Sequence, residues 1–253
     1  MRCGLSPWPG AGTRWEGEIV ANTKAKNYDD LVRFYMTDGA GKPNIFQVWE
    51  EGSGRGDSVT PSTYSSEYRN WMCDKLVAEL NRNGGGLLSL GCGNAAVEAR
   101  VAQRGFRVLA IDAMEEAVVL AQKKGVEAIC ADIYQWEPHE RWPVIYLDGV
   151  LGHLYHPRAG LLPVLERIRS WLAPRIDSSS GVATLVASND APSNGADVYK
   201  APGVNGFYWL SAEYMRHQAL KVGFAEAVIG EFRYQRPVSG ERIRAIMTGY
   251  VGH

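Results

Sequence analysis

The chain has 253 residues, of which 45% are hydrophobic, and a formal net charge of -1 at pH 7. This composition can fill a substantial core, so we expect one large domain or a core domain with a smaller appendage. A nearly neutral chain has no overall positive field to hold a polyanion, which weighs against nucleic acid as the main partner. The cysteines lack paired CxxC spacing, so neither a structural zinc site nor a disulfide framework is expected, and a reducing cytoplasm fits best.

The N-terminal segment has no continuous apolar stretch of the kind found in secretory signals, and no other stretch approaches the length of a membrane span. We therefore expect neither export nor a membrane partner, and a homo-oligomer stays open. Residues 1–20 combine Gly, Pro and Ser with isolated tryptophans, a composition that predicts a flexible leader. Residues 21–70 are expected to form a helical cap that contributes to a substrate pocket.

Within this cap, helical spacing of apolar residues predicts a helix from Asn27 to about Tyr35. Ile45 to Trp49 is predicted to be a short extended piece, and the glycine-rich segment from Gly52 to Ser62 a mobile loop. A second helix is expected to begin after a capping serine, Ser65 or Ser66, and to end at Asn83 and Gly84.

The stretch from Leu87 to Asn94, LLSLGCGN, organises the rest of the chain. A short apolar run predicts a buried strand that stops at Gly91-Cys92-Gly93, and good helix formers follow Asn94. Glycines let a ligand approach main-chain N–H groups, and a new helix presents unpaired donors and its positive dipole end. This strand, glycine turn and helix therefore indicate a cofactor site.

Strands and helices then alternate, which predicts an α/β fold with a doubly wound, mostly parallel, seven-stranded sheet. The elements after the turn are predicted as strands at Arg107–Ile111, Glu127–Ala131, Pro143–Gly149 and Gly181–Ser188, and helices at Glu115–Lys124, Leu161–Leu172 and Ser211–Val222. A long irregular insert is expected from Asn189 to Gly206, and residues 189–210 are interpreted as a lid on a core spanning residues 71–253. The last two strands, Ala225–Tyr234 and Arg242–Val251, have no helix between them, which predicts an antiparallel last strand.

The glycine turn alone does not identify its cofactor. Gly91-x-Gly93-x-x-Ala96 satisfies the loose dinucleotide fingerprint, and Asp112 follows near the spacing of a ribose-binding acid. An NAD-linked reductase, or a non-catalytic binding module on the same sheet, is therefore an alternative. The sequence contains no Tyr-x-x-x-Lys pair, which removes the commonest short-chain reductase site.

From about Leu76 to the C-terminus the chain resembles the class I S-adenosylmethionine-dependent methyltransferases, through LSLGCGNA, Asp112, Asp132 and the DGVLGHL segment. The resemblance implies a Rossmann-like methyltransferase fold and S-adenosylmethionine as cofactor. It implies these contacts: Gly91, Cys92, Gly93 and Asn94 under the methionine half, Asp112 at the ribose, Ala113 and Met114 beside the adenine, Asp132 and Ile133 at the adenine amino group, and Asp148 and Leu151 at the methyl-donor pocket. Ser89 stands where an acidic residue is usual, and Ala95 where a third glycine is frequent. These departures concern how the amino end of the cofactor is held.

Methyl transfer from a sulfonium is an in-line displacement that needs alignment and exclusion of water. His153 and His156 follow the fourth predicted strand, and either could take a proton from the acceptor with a pKa near neutrality. His153 is favoured as the catalytic base because it lies in the segment that resembles the family. The alternative is that it only forms a hydrogen bond to the cofactor or a carbonyl.

The predicted cap and lid supply candidate substrate-binding residues, namely Tyr28, Tyr35, Tyr64, Tyr68, Tyr199, Tyr208 and Asp190. Such covers are typical of small-molecule methyltransferases, including those that act on antibiotics and other natural products. The favoured interpretation is metal-independent transfer to N or O of a polar small molecule. An amino sugar or other amine is one candidate, because Glu50, Glu51, Asp148 and Asp190 supply negative charge. A metal-dependent O-methyltransferase is the alternative, since Asp148, Asn189 and Asp190 carry oxygen donors that Mg²⁺ accepts.

Overall fold

A computed structural model of the protein describes residues 32–36, 43–174 and 181–252. The predicted leader and Tyr28 lie outside these ranges. The described helices are α1, seen at residues 32–36, α2 (Ile45–Glu50), α3 (Pro61–Tyr64), α4 (Ser66–Asn83), α5 (Ala96–Gln103), α6 (Glu115–Lys123), α7 (Leu151–Leu154), α8 (Leu162–Trp171) and α9 (Ala212–Lys221). The strands are β1 (Leu87–Leu90), β2 (Val108–Asp112), β3 (Glu127–Cys130), β4 (Val144–Asp148), β5 (Val182–Asp190), β6 (Val198–Lys200), β7 (Tyr208–Leu210), β8 (Glu226–Arg236) and β9 (Gly240–Gly252). Within the described ranges, every helix is too short or too polar to cross a membrane.

Seven strands form one sheet in the order β3-β2-β1-β4-β5-β9-β8. The pairs among β1 to β5 are parallel, whereas β9 pairs antiparallel with β5 on one side and with β8 on the other. The predicted sheet and its antiparallel last strand are therefore confirmed. Because β1 and β4 lie at the centre of the sheet, where the chain order reverses, their C-terminal ends border a crevice of the kind that binds ligands in open α/β sheets.

Helices cover both faces of the sheet, so the central strands are buried on both sides. Alternate residues of β1 separate the two cores: Leu87 packs with α4 and α5, and Leu88 packs with α8 and α9. Ser89, which points to the same face as Leu87, is also fully enclosed. This arrangement explains why β1 is a nearly continuous apolar run instead of an alternating one.

The segment Ile45–Glu50 forms a helix, so its prediction as an extended piece was wrong. Asn44 caps the helix: its Oδ1 accepts a hydrogen bond from the Gln47 N–H at 2.9 Å, and the Gln47 side chain accepts one from the Asn44 N–H at 2.9 Å. This reciprocal capping box outweighs the β-propensity of the branched and aromatic residues that follow. Ile45, Phe46 and Trp49 are consequently buried on one face of the short helix.

The glycine-rich segment from Gly52 to Ser62 is anchored to the turn between β8 and β9. The carboxylate of Asp57 accepts hydrogen bonds from the main-chain N–H groups of Val238 and Ser239, at 2.9 and 3.1 Å. Val59 is buried, and α3 begins at Pro61. The prediction of a mobile loop rested on composition alone. Composition does not indicate that the Asp57 carboxylate binds the main chain of a distant turn.

The predicted irregular insert also contains regular structure. Strand β5 continues to Asp190, and β6 pairs antiparallel with β7 to form a separate two-stranded sheet. The rings of Tyr199 and Trp209 stack across this pair at a centroid distance of 5.8 Å. The role of residues 189–210 as a lid stays a prediction.

A buried ion-pair network joins the antiparallel strand β9 to the parallel part of the sheet. Arg244 on β9 is fully buried and contacts the carboxylates of Asp148, at the end of β4, and Asp190, at the end of β5. Asp190 also binds Arg236 and accepts a hydrogen bond from the Tyr234 hydroxyl at 2.6 Å. The network satisfies charges that would otherwise be buried alone.

Replacing Arg244 should therefore destabilise the fold. We expect Arg244→Met to lower the free energy of unfolding by about 3–5 kcal/mol, because buried Asp148 loses its cation and Asp190 keeps only Arg236. The matched control is Arg233→Met, which removes an exposed pair with Glu241 and should cost less than about 1 kcal/mol. Urea unfolding measures both changes, and equal effects of the two substitutions would contradict the stabilising role of the network.

Candidate functional site

A cavity of about 220 Å³ opens at the C-terminal ends of β1, β2 and β4. Its floor is the turn after β1, and its wall is built from α2, the loop after β3 and the short helix α7. All predicted cofactor-binding residues except one line it: Gly91, Cys92, Gly93, Asn94, Asp112, Ala113, Met114, Asp132, Ile133 and Asp148. The exception is Leu151, which is fully buried in the core beneath the cavity.

The turn after β1 has a backbone that favours glycine. Gly91 and Gly93 have φ angles of 73° and 54°, in the left-handed region, and a Cβ on Gly91 would overlap a methyl group of Val150. Ala95, which replaces the frequent third glycine, keeps the same conformation with a φ of 51°. This departure costs about 1 kcal/mol of backbone strain but leaves the shape of the turn unchanged.

Asp112 ties the turn to the second strand. Its Oδ2 accepts a hydrogen bond from the Gly93 N–H at 2.9 Å, and its Oδ1 accepts one from the Met114 N–H at 2.9 Å. Burial raises the pKa of the carboxyl group to about 6, against the lowering effect of these hydrogen bonds. A carboxylate has about four acceptor positions, so Asp112 can still accept hydrogen bonds from a ligand.

Asp132 lies across the cavity, in the loop after β3. Its Oδ1 accepts a hydrogen bond from the Tyr134 N–H at 2.8 Å, which forms a tight turn that presents Ile133 and Tyr134 to the cavity. Both acids therefore lie in strand-end turns that they stabilise themselves. The sequence prediction brought them together correctly in space.

His153 is enclosed by aromatic rings at the edge of the cavity. Its Nε2 is 3.2 Å from the Tyr35 hydroxyl oxygen, and its ring lies 4.4 Å from that of Phe207 between centroids. Burial lowers the pKa of His153 from 6.5 to about 4. The expectation of a pKa near neutrality is thus wrong for this ring, which is neutral at physiological pH.

His156 also lines the cavity, but its Nδ1 atom already accepts hydrogen bonds from the main chain. Its Nδ1 accepts hydrogen bonds from the N–H groups of Arg158 and Ala159, at 3.2 and 3.1 Å. An Nδ1 atom that accepts leaves the ring hydrogen on Nε2, and the two hydrogen bonds close the turn after α7. Only Nε2 remains for contact with a ligand, as a donor.

Three aromatic rings form the wall above the glycine turn, namely Tyr35, Phe46 and Trp49. Tyr35 stacks on Phe46 at 5.4 Å and meets Trp49 edge-on at 5.9 Å. The Trp49 indole N–H donates to the Ser58 carbonyl at 2.9 Å, which fixes the ring. Sequence reasoning missed Phe46 and Trp49, although the Asn44-Gln47 capping box was a signal that they share one helical face.

The other described residues predicted to bind substrate lie outside this cavity. Tyr64 donates its hydroxyl hydrogen to the Gln235 carbonyl. Tyr68 is fully buried, and its hydroxyl oxygen lies 3.2 Å from Ser188 Oγ. Tyr199 is exposed on the β6-β7 pair, and Tyr208 packs on Tyr155 at 4.5 Å. Asp190 belongs to the ion-pair network around Arg244.

The side-chain oxygens that were considered as metal ligands already have partners within the protein. Asp148 and Asp190 both pair with Arg244, whereas the Asn189 side chain accepts from the Gly152 N–H at 3.2 Å and donates to the Tyr208 carbonyl at 3.0 Å. In the parts of the chain that the structure describes, no group of three or more His, Cys, Asp or Glu side chains could hold a metal ion.

The cavity is strongly acidic. Glu98, Asp112, Asp132 and Asp148 line it, and the described lining residues include neither Lys nor Arg. Glycine main-chain groups, carboxylate acceptors and an aromatic wall together suit a ligand that is rich in N–H and O–H donors and carries positive charge.

Comparison with known proteins agrees with this geometry. Residues 87–175, a range that includes β1 to α8, match the family described as methyltransferase domain. A relative from Pseudomonas amygdali pv. tabaci, a tabtoxin biosynthesis enzyme, is 38% identical over 242 residues, 93% of each chain.

Two solved structures show the same fold. The 1,6-didemethyltoxoflavin-N1-methyltransferase of Burkholderia thailandensis, solved with its substrate and S-adenosylhomocysteine, has a TM-score of 0.63, 19% identity and coverage of 97% of this chain and 94% of its own. The magnesium protoporphyrin IX methyltransferase of Synechocystis PCC 6803, solved with S-adenosylmethionine, has a TM-score of 0.50, 18% identity and coverage of 94% and 99%. With the glycine turn and the two strand-end acids, these findings establish that the chain belongs to the class I S-adenosylmethionine-dependent methyltransferases.

Proposed function

We propose that the protein transfers the methyl group of S-adenosylmethionine to a nitrogen or oxygen atom of a polar small molecule, with an amine on an antibiotic intermediate or amino sugar as the favoured acceptor. The observation that carries the proposal is the acidic cavity, whose described lining contains four carboxylates and no Lys or Arg side chain. A lining without a described cation disfavours anionic acceptors, and its carboxylates suit the cationic cofactor.

The proposed position of the cofactor follows from the groups that line the cavity. The glycine turn lines the cavity and would lie beneath the methionine half, and Asp112 retains acceptor positions for the ribose hydroxyls. Asp132, Ile133, Ala113 and Met114 would enclose the adenine. S-adenosylmethionine, when bound, supplies a methyl group on a sulfonium, and the residues of this chain align the acceptor and exclude water.

His153 would orient the acceptor. Its lowered pKa makes the His153 ring a poor base, so orientation of the acceptor is its proposed role. The ring can accept a hydrogen bond from the acceptor N–H and direct the nitrogen lone pair toward the methyl group. Tyr35, which contacts Nε2, selects the orientation of the ring.

The relatives support a small-molecule acceptor. One is a tabtoxin biosynthesis enzyme, and the other was solved with 1,6-didemethyltoxoflavin as its bound substrate. A metal-dependent O-methyltransferase is less well supported, because the Asp148 and Asp190 carboxylates pair with Arg244. Because the chain belongs to the methyltransferase family, the two alternative functions, an NAD-linked reductase and a non-catalytic binding module, are no longer needed.

A screen of acceptors tests the proposed function. Release of S-adenosylhomocysteine should be found with members of a panel of aminoglycosides and other amines, and should be weaker with phenols and nucleosides that lack an amine. EDTA should leave turnover unchanged. Turnover confined to anionic acceptors, or abolished by EDTA and restored by Mg²⁺, would contradict the proposal.

Asp112 should be required for cofactor affinity. We expect Asp112→Ala to weaken S-adenosylhomocysteine binding by about 1.5–3 kcal/mol, because the ribose donors lose a charged acceptor. The control is Asp74→Ala, an exposed acid on α4. An unchanged Kd for Asp112→Ala in calorimetric titration would show that the ribose is bound elsewhere.

The raised pKa of Asp112 also predicts a pH dependence. Ribose hydroxyls donate to the carboxylate, so the ligand selects the ionised form, and affinity should fall as the pH drops through about 6. The probe is 5′-methylthioadenosine, which has the ribose and adenine without an amino-acid end. The Asp112→Asn variant should bind it weakly and lose this transition, and a transition that survives the substitution would assign it to another group.

The state of the His153 ring can be measured directly. Its imidazole ¹⁵N chemical shifts should stay those of a neutral ring as the pH is lowered from about 8 to about 5, because burial disfavours the cation. The resonances are assigned by their absence in His153→Gln. Protonation with a midpoint near 6.5 would instead make His153 an ordinary base at neutral pH.

A further inference from the structure

A group of polar side chains lies under the methionine side of the cavity, around the glycine turn. Ser89 on β1 and Tyr146 on β4 are neighbours in the parallel register and point to the same face of the sheet. Ser89 donates its hydroxyl hydrogen to Glu98 Oε1 at 2.6 Å, and Glu98 lies in the first turn of α5, directly after the glycine turn. We call Glu98, Tyr146 and Asp148 the acidic floor, since all three line the cavity.

Part of the acidic floor lacks hydrogen-bond donors, although Asp148 Oδ1 pairs with Arg244. Glu98 is only 4% exposed, and within the described part of the chain it forms no ion pair with a Lys or Arg side chain. The Tyr146 hydroxyl and Asp148 Oδ2 are buried and have no hydrogen-bond partner among the described residues. Buried polar atoms in this state cost free energy unless a ligand satisfies them.

The buried position of Glu98 changes the pKa of its carboxyl group. Burial raises its pKa to about 7, the hydrogen bond from Ser89 opposes the rise, and Asp148 and Asp112 add to it. A cation placed beside Glu98 would reverse this effect. The arrangement therefore suits a ligand group that carries one positive charge and several N–H donors on one atom, which describes a primary ammonium.

We propose that the acidic floor binds the α-ammonium group of the cofactor's methionine half, with Glu98 as the principal acceptor. The strand position where the family usually has an acid is occupied by Ser89, and the helix supplies the carboxylate instead, held in place by the Ser89 hydroxyl. The proposal rests on the cofactor established for the family and not on the acceptor proposed above.

Two probes test the proposal, because they differ only at the amino-acid end. S-adenosylhomocysteine carries the ammonium, whereas 5′-methylthioadenosine lacks it. In Glu98→Gln, we expect the Kd for S-adenosylhomocysteine to rise by about 10-fold or more, the loss typical of a charge-assisted hydrogen bond, and the Kd for 5′-methylthioadenosine to stay within about 2-fold of wild type. Glu226→Gln, an exposed acid on β8, is the matched control and should change neither.

A double variant tests the relocation of the acid from strand to helix. Ser89→Asp combined with Glu98→Ser returns the carboxylate to β1 with a hydroxyl facing it, and S-adenosylhomocysteine binding should recover to within about 3-fold of wild type. If the double variant does not fold, the two-probe comparison on Glu98→Gln decides alone.

Three results would overturn the proposal. Equal loss of both probes in Glu98→Gln would give Glu98 a general structural role, and loss of neither would exclude it from binding. An unchanged Kd for S-adenosylhomocysteine with a raised KM for the acceptor would assign the floor to the substrate amine. The first two outcomes are binding measurements that do not depend on which acceptor the enzyme methylates, so failure of the proposed function remains distinguishable.

Discussion

The hydrogen bonds that Asp112 accepts from Gly93 and Met114 are the interactions on which the site depends. They tie the turn after β1 to the loop after β2, so that two neighbouring strands end in a single rigid surface. The positive φ angles of Gly91, Gly93 and Ala95 give this turn its shape, in a backbone conformation that glycine adopts most readily. Loss of this connection would separate the methionine and adenosine halves of the cofactor site.

The acids at this edge of the sheet fall into two groups, those that pair with an arginine inside the fold and those that face the cavity. Asp190 and one oxygen of Asp148 are neutralised by Arg244, and this pairing fixes β9 against β5. Glu98 and Asp112 face the cavity without a cation of their own in the described structure, and burial raises the pKa of each. The protein thus keeps a negative cavity ready for a positively charged cofactor, at a cost in stability that ligand binding offsets.

Much of the fold could be predicted because its signals are local. The cap at Ser65, the stop at Gly84 and the apolar runs of β1, β4 and β5 each reflect short-range physics, and the observed elements match them closely. What the sequence did not reveal depends on distant or side-chain contacts. Asp57 binds a turn far along the chain, and the Asn44-Gln47 box converts an apparent strand into a helix.

The site was predictable to a similar extent. Asp112, Asp132 and the glycine turn converge because strand ends always meet at one edge of a parallel sheet. Composition could not reveal that Tyr68 would be enclosed beside Ser188, that Asp190 would pair with Arg244, or that Glu98 would take the place of the missing acid at Ser89. The low pKa of His153 likewise depends on Tyr35 and Phe207, which come from distant segments.

The central claim is that acids at the strand ends hold the two halves of one cofactor in this cavity. A crystal structure of the complex with S-adenosylhomocysteine tests it most directly. We expect the ribose hydroxyl oxygens to lie about 2.7–3.2 Å from the Asp112 carboxylate and the α-ammonium nitrogen to lie at the same range from Glu98. Electron density that places the amino-acid end away from Glu98, or the ribose away from Asp112, would contradict the account.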